Sequence, residues 1–251
     1  PPQAQYLSSI VSELRKRGHY VLLTSRAHTQ TIAVLANRDE TPLPIGHVFG
    51  GSRGSKVAGT MLRAGRLVPA VYRRIGIPRA VLSTSRSGVM AARMLGSKCF
   101  TILDYEGVET LVYRTFGTTV LHPEVIPASE FSALGFPEHR LVSFPGLKED
   151  ISFSGMNLTK VRPAELPSPR DPRLPAILVR PPSETSHYRV NASSDALGRI
   201  LDHLADRSDA QVVFAPRESK QEQMLSARQW SVPPVLLRQP IPLVDLLRSV
   251  D

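Results

Sequence analysis

The sequence predicts an α/β fold of two βαβ domains with parallel sheets, the second domain incomplete. Three observations predict it. Short apolar runs alternate with helix-period stretches along the chain, a Pro-rich break interrupts them after residue 162, and the alternation then restarts. At 251 residues and 41% hydrophobic content, the chain has enough apolar surface for two ordinary cores.

In order, Pro1-Pro2-Gln3-Ala4-Gln5 forms a polar turn into a helix over 6–17. Tyr6, Leu7, Ile10, Val11 and Leu14 share one face of it, and Gly18 stops it. A strand over 20–25 follows, so the chain starts after the strand that would open this unit. Further strands are expected at 45–49, 80–83, 99–103, 118–121 and 141–144. Helices are expected at 29–37, 55–75, 89–95, 108–115 and 128–134. Together these make a first domain, 1–162, lacking its first strand. Pro163, Pro167, Pro169, Pro172 and Pro175 then give a stiff extended linker over 163–175. Strands at 176–180, 211–215 and 235–237, with helices at 194–205, 220–230 and 243–249, make a second domain, 176–251, that stops inside a unit.

No apolar run approaches the ~18 residues that a membrane span needs, and no secretory leader pattern opens the chain. A lone cysteine, Cys99, excludes a disulfide framework and a multi-cysteine zinc site. It lies in the run Cys99-Phe100-Thr101-Ile102-Leu103 and is expected as a buried thiol, consistent with a cytoplasmic protein. The net charge of +9 resides in residues 1–162, with 20 Lys/Arg against 11 Asp/Glu; residues 163–251 balance at 11 each. Between Glu40 and Asp104 there is no acidic residue and there are ten basic ones. Such a field favours an anionic partner, whether a phosphorylated ligand, nucleic acid or an acidic membrane surface. Nucleic acid is disfavoured, because no reader motif or aromatic-interleaved basic patch is present.

In an open parallel sheet, ligands bind past the carboxyl ends of the strands. The residues there are Pro2 and Gln3, then Ser25-Arg26, then Gly50-Gly51-Ser52-Arg53-Gly54-Ser55-Lys56, then Ser83-Thr84-Ser85-Arg86-Ser87-Gly88, then Asp104-Tyr105-Glu106. The Gly50–Lys56 loop offers backbone N–H groups and two cations to an anion; the alternative is a flexible turn. Arg86 sits in a smaller version of the same arrangement. Asp104 and Glu106 suit a general base or a hydroxyl ligand, unless one of them caps the next helix. Arg63, Arg66, Arg73 and Arg74 fall near one face of the 55–75 helix, which suits an anionic membrane or an ordinary outer helix. In the second domain Arg180 and Arg217 end adjacent strands and suit a diphosphate, with His187 as a further contact.

The stretches Pro1-Pro2-Gln3-Ala4-Gln5, Gly18–Arg26, Asp104-Tyr105-Glu106, Pro145-Gly146-Leu147-Lys148-Glu149, Arg180-Pro181-Pro182 through His187-Tyr188, and Pro216-Arg217 resemble an uncharacterised bacterial and archaeal family. That family, a domain of unknown function, is related to GT-B glycosyltransferases and to non-hydrolysing UDP-N-acetylglucosamine 2-epimerases. The resemblance implies a GT-B-like fold of two Rossmann-like domains facing across a cleft. Its donor would be a nucleotide-sugar, UDP-linked, held mainly on the second domain. The acceptor, of membrane-surface or lipid-phosphate type, would lie on the first. It implies no cofactor and no metal, and a cytoplasmic enzyme peripheral at the inner membrane. Arg180, His187 and Arg217 would hold the diphosphate; Asp104 or Glu106 would orient or deprotonate the acceptor hydroxyl. Gly50, Gly51 and Arg53 would line the acceptor side, with Pro2, Gln3, Arg26 and Arg86 as further binding residues. The alternatives are a UDP-sugar 2-epimerase-like enzyme and a non-catalytic anion- or polymer-binding protein. Relatives continue past the equivalent of Asp251 into a glycine-rich turn with an acidic residue, so the fragment lacks part of the expected nucleotide site.

Overall fold

The computed structural model describes residues 2–27, 29–36, 40–46, 53–105, 109–156, 159, 161–167, 170–182, 192–238, 241 and 243–250. It divides into two compact units, Pro1–Gly155 and Met156–Asp251.

The first unit opens with α1 (Pro2–Lys16), four residues earlier than the periodicity predicts. Proline is tolerated in a first helical turn because no N–H is needed there. Arg15 and Lys16 complement the dipole at its far end, and Gly18 takes the positive φ that ends it. Next come β1 (Thr24–Ser25), α2 (Thr29–Ala36) and β2 (Leu43–Pro44). The two strands pair in parallel, Thr24 opposite Leu43 and Ser25 opposite Pro44. The second strand thus lies ahead of the expected 45–49, of which 47–49 fall outside the described residues. Arg15 bonds both oxygens of the buried Glu40 at 2.8 Å and fastens α1 to the segment leading into β2.

The long α3 (Arg53–Ile75) leads to β3 (Ala80–Leu82), α4 (Arg86–Met94), β4 (Lys98–Ile102), α5 (Leu111–Thr115), β5 (Thr119–Pro123), α6 (Ala128–Ala133), β6 (Leu141–Phe144) and α7 (Lys148–Phe153). Strands β3 to β6 form a four-stranded parallel sheet in chain order, separate from the β1–β2 ladder. Its core gathers Val89, Ala92, Cys99, Leu103, Tyr113, Val120, Phe131 and Phe136. Each large side chain fully buried there is worth about 1.5–3 kcal/mol. Cys99 is buried as expected, and burial pushes its thiol up despite the Thr118 hydroxyl. α7 has no counterpart among the helices expected from the sequence. It packs against α1, with the Ser9 hydroxyl donating to the Ser152 carbonyl at 3.2 Å.

The second unit has β7 (Ala176–Val179), α8 (Ala192–Ala205), β8 (Gln211–Phe214), α9 (Glu222–Ser226), β9 (Val235–Leu236) and α10 (Leu243–Leu247), its three strands parallel in that order. Every residue of β8 is buried. Val213 faces one cluster with Ala176, Val235 and Leu246; Val212 and Phe214 face the other with Leu201 and Leu225. That period of two, covered on both faces, is what makes a central parallel strand read as a continuous apolar run. The Pro-rich stretch contains no helix or strand among its described residues from 161 to 175, and it is bound to this unit. The Ala164 N–H donates to the Ser249 hydroxyl at 2.7 Å and the Asp171 N–H to the Gln211 side chain at 2.9 Å.

Candidate functional site

In the first unit the strand ends converge on a buried guanidinium. Gly59, Arg63 and Leu67 recur every four residues on the inner side of α3, so Arg63 points inward and is only 5% exposed. Its Nε donates to the Ile45 carbonyl, just past β2, at 2.9 Å. Its Nη1 donates to the hydroxyls of Ser85 at 3.1 Å and Ser87 at 2.6 Å, just past β3. Gly46 has φ +76°, and a Cβ there would meet Arg63 Cγ at 3.2 Å, so glycine serves both the turn and the approach. No carboxylate among the described residues pairs with Arg63. Burial, then the neighbouring charge of Arg26, brings its pKa down to about 10, so it is a cation at neutral pH. Arg63 therefore does not belong to an outer basic face of α3 with Arg66, Arg73 and Arg74, which are exposed.

Ser85 caps α4: its hydroxyl accepts the Gly88 N–H at 3.2 Å. Gly88 is needed because a Cβ there would collide with the Ser83 hydroxyl. Arg86, the first residue of α4, is exposed and paired with Glu109 at 2.7 Å.

Past β4, Asp104 is ion-paired with Lys148 at the start of α7. Burial alone would lower the Lys148 ammonium, but the hydrogen bond and charge of Asp104, with Glu149 beside it, raise it. Tyr6 of α1 lies in the same neighbourhood. Burial first, then the charges of Asp104 and Tyr113, push its phenol up. Gln3 is exposed in the first turn of α1, and Arg26 is half-buried past β1.

In the second unit Arg180 follows β7 and Arg217 lies three residues past the adjacent β8. Burial, then the charge of Arg217, lowers Arg180. Neither arginine has a carboxylate partner among the described residues. The amide of Gln221, 4% exposed, fixes the two strand ends together. Its oxygen accepts the Arg217 N–H at 2.8 Å and the Glu218 N–H at 3.3 Å; its nitrogen donates to the Pro182 carbonyl at 2.8 Å.

Glu106, His187, Gly50 and Gly51 lie outside the described residues. Pro2 begins α1 and Arg53 begins α3, with their side chains also outside. The structure thus brings Arg180 near Arg217, and Arg26 near Arg63, which bonds the Ser83–Gly88 turn. Asp104 has a separate partner in Lys148. Arg63 as the centre of a site, Lys148 and Gln221 were missed from sequence. The spacing of Gly59, Arg63 and Leu67 was the signal for the first; a lone Gln after a strand carries none.

No protein-family model matches the chain, and no curated protein matches it. Among solved structures it is similar to a spinosyn forosaminyltransferase, at a TM-score of 0.51 and 16% sequence identity. The likeness covers 99% of this chain and 71% of that one. It shows the fold alone: α/β with parallel sheets, GT-B-like.

Proposed function

We propose that this chain acts as a GT-B-type glycosyltransferase that uses a UDP-linked sugar without a metal, as a member of the uncharacterised family its motifs resemble. The observation that carries the proposal is the pair Arg180 and Arg217, two cations at adjacent strand ends with no described carboxylate to neutralise them. A diphosphate supplies the missing charge, and guanidinium forks grip its oxygens bidentately.

In the transfer, an acceptor hydroxyl attacks the anomeric carbon of the donor. The bond from that carbon to the diphosphate oxygen breaks, and its electron pair leaves with UDP. Charge therefore builds on the diphosphate, where the two arginines act. Asp104, ion-paired with Lys148, orients the hydroxyl, whose proton passes to Asp104 or Glu106. The exposed Arg66, Arg73 and Arg74 of α3, with Val57, Met61 and Tyr72 exposed alongside, suit an acceptor presented on a lipid phosphate at the inner membrane surface.

The test is a titration of the chain with UDP and other nucleoside diphosphates, followed by melting temperature. A rise of several degrees that Arg180→Ala with Arg217→Ala abolishes is the expected result. No shift with any nucleotide would sink the reading.

A further inference from the structure

The surroundings of Arg63 are electrostatically one-sided. The N-terminus of a helix carries about half a positive charge, and a cation placed there is unfavourable. Yet Arg63 binds the capping hydroxyl of α4 itself, with Arg26 close enough to oppose its charge. Elsewhere the first unit does pair an arginine with a carboxylate: Arg15 meets the buried Glu40. At Arg63 it supplies one carbonyl and two hydroxyls instead. A buried charge with so little compensation costs several kcal/mol unless an anion joins it.

The hydrogen-bond inventory points the same way. Nη1 spends both its hydrogens on Ser85 and Ser87, while Nη2 has no partner among the described residues. The Ser85 oxygen accepts from Nη1 and from the Gly88 N–H and lies 3.3 Å from the Ser87 hydroxyl and 3.5 Å from the Ser83 hydroxyl, so its own hydrogen goes to one of these or turns to a ligand. The N–H groups of Arg86 and Ser87, the first two of α4, have no backbone acceptor among the described residues. Arg63 Nη2 and the two helix N–H groups are thus donors left over beside a positive charge. Ser85 and Arg26 are half-buried, which leaves the centre an approach from solvent.

We propose that Arg63, Arg26, Ser85 and the first turn of α4 form a phosphate-binding site in the first unit. Its ligand is a phosphoryl oxyanion, taken by the two Nη2 hydrogens, the Ser85 hydroxyl and the free helix N–H groups. As a description of the acceptor, an anionic and phosphorylated one, it rests on the transferase reading. As an anion site it stands without that reading.

The experiment is a titration with inorganic phosphate and pyrophosphate against chloride at matched ionic strength, followed by melting temperature and calorimetry. Phosphate should raise the melting temperature by roughly 5 °C at a hundredfold excess over its Kd. The shift should persist in the Arg180→Ala, Arg217→Ala double variant and vanish in Arg63→Met. Because Arg63→Met can fail to fold, Arg26→Gln serves as the second variant, with affinity expected to fall about 10-fold. Glycerol 3-phosphate and vesicles containing phosphatidic acid then distinguish a free from a lipid-borne phosphate; a response to either supports the site. No response beyond chloride to any of these probes would overturn it. So would a shift that only the double variant removes, because that shift would belong to the second unit. A phosphate response with no nucleotide response would retain this site and discard the transferase.

Discussion

The centre around Arg63 and the pair Arg180–Arg217 have the same electrostatics and opposite burial. In each, one arginine stands beside another, and no described carboxylate pairs with either. In each, burial and then the neighbouring guanidinium lower the pKa. Arg63, however, is buried on the inner side of α3 and fixed by three hydrogen bonds. Arg180 and Arg217 keep exposed side chains, and Gln221 holds only backbone near them, the Arg217 N–H and the Pro182 carbonyl. The first centre is preorganised for a compact anion in one orientation, which makes it stiff. The second positions two mobile forks, which suits a ligand with several torsions such as a diphosphate. On both proposals, burial sets how exacting each cationic centre is.

The double change Arg180→Ala, Arg217→Ala should have the largest effect. Each charge-assisted contact is worth about 1.5–3 kcal/mol, so UDP affinity should fall at least about 100-fold in calorimetry. The melting temperature should hold or rise, because a repulsive pair has been removed. A fall in stability with unchanged affinity would place both arginines in the scaffold and break the comparison. Next comes Gln221→Leu, which strips two backbone N–H groups and one carbonyl of a partner at a buried position. It should cost about 2–3 kcal/mol in denaturant unfolding and weaken UDP binding about 10-fold without removing a ligand contact. Unchanged UDP affinity in a destabilised Gln221→Leu protein would mean that the spacing of the strand ends is immaterial.

Much of the fold was legible, for reasons that also explain what was not. Three of the four residues of β8 are apolar and all four are buried, so a short continuous run sufficed. The Pro-rich stretch has the composition of a linker, but its partners are Ser249, Asp245 and Gln211, far along the chain, and composition cannot see them. Four arginines within α3 looked like one face because charge is assumed to seek water. The apolar spacing through Gly59 and Leu67 outweighed that assumption at Arg63 alone. Arg180 and Arg217 could be found because strand ends are where ligands bind. Gln221 could not, since its role exists only once two backbones have met.

The alkaline limb of stability sharpens the contrast between the centres. Tyr6 and Tyr113 resist ionisation when buried, and so does Cys99. Unfolded phenols ionise near pH 10 and the thiol somewhat lower, while the folded groups stay neutral. The stability they contribute is complete below those values and is lost as pH rises through the folded ones. Arg63 works in the opposite direction: folded, it sheds its proton above about pH 10, before the unfolded chain does, and so offsets part of the loss. Between pH 9 and 11, Tyr6→Phe should therefore lose about 1 kcal/mol less than the wild type in denaturant unfolding. Arg63→Met should lose more. An identical slope in the Arg63→Met protein would mean that no strained charge resides there.

The smallest effect should come from the arginines outside either centre. Arg66, Arg73 and Arg74 project into solvent from α3, where a charge costs nothing to hydrate and is screened within about 8 Å at physiological salt. Replacing all three by serine should change stability by no more than about 0.5 kcal/mol per site. Because they do not contact the α4 N-terminus, the phosphate-dependent rise in melting temperature should be unchanged, whereas Arg63→Met removes it. Binding to vesicles rich in anionic lipid is the measurement that separates them further, since each exposed Lys or Arg at such a surface is worth about 1 kcal/mol. If the triple change abolishes the phosphate response in solution, the anion is attracted by the field of the whole helix and not by Arg63. Burial would then have lost its meaning as the distinguishing feature. If it abolishes vesicle binding alone, membrane attraction and phosphate recognition are separate properties of opposite faces of one helix.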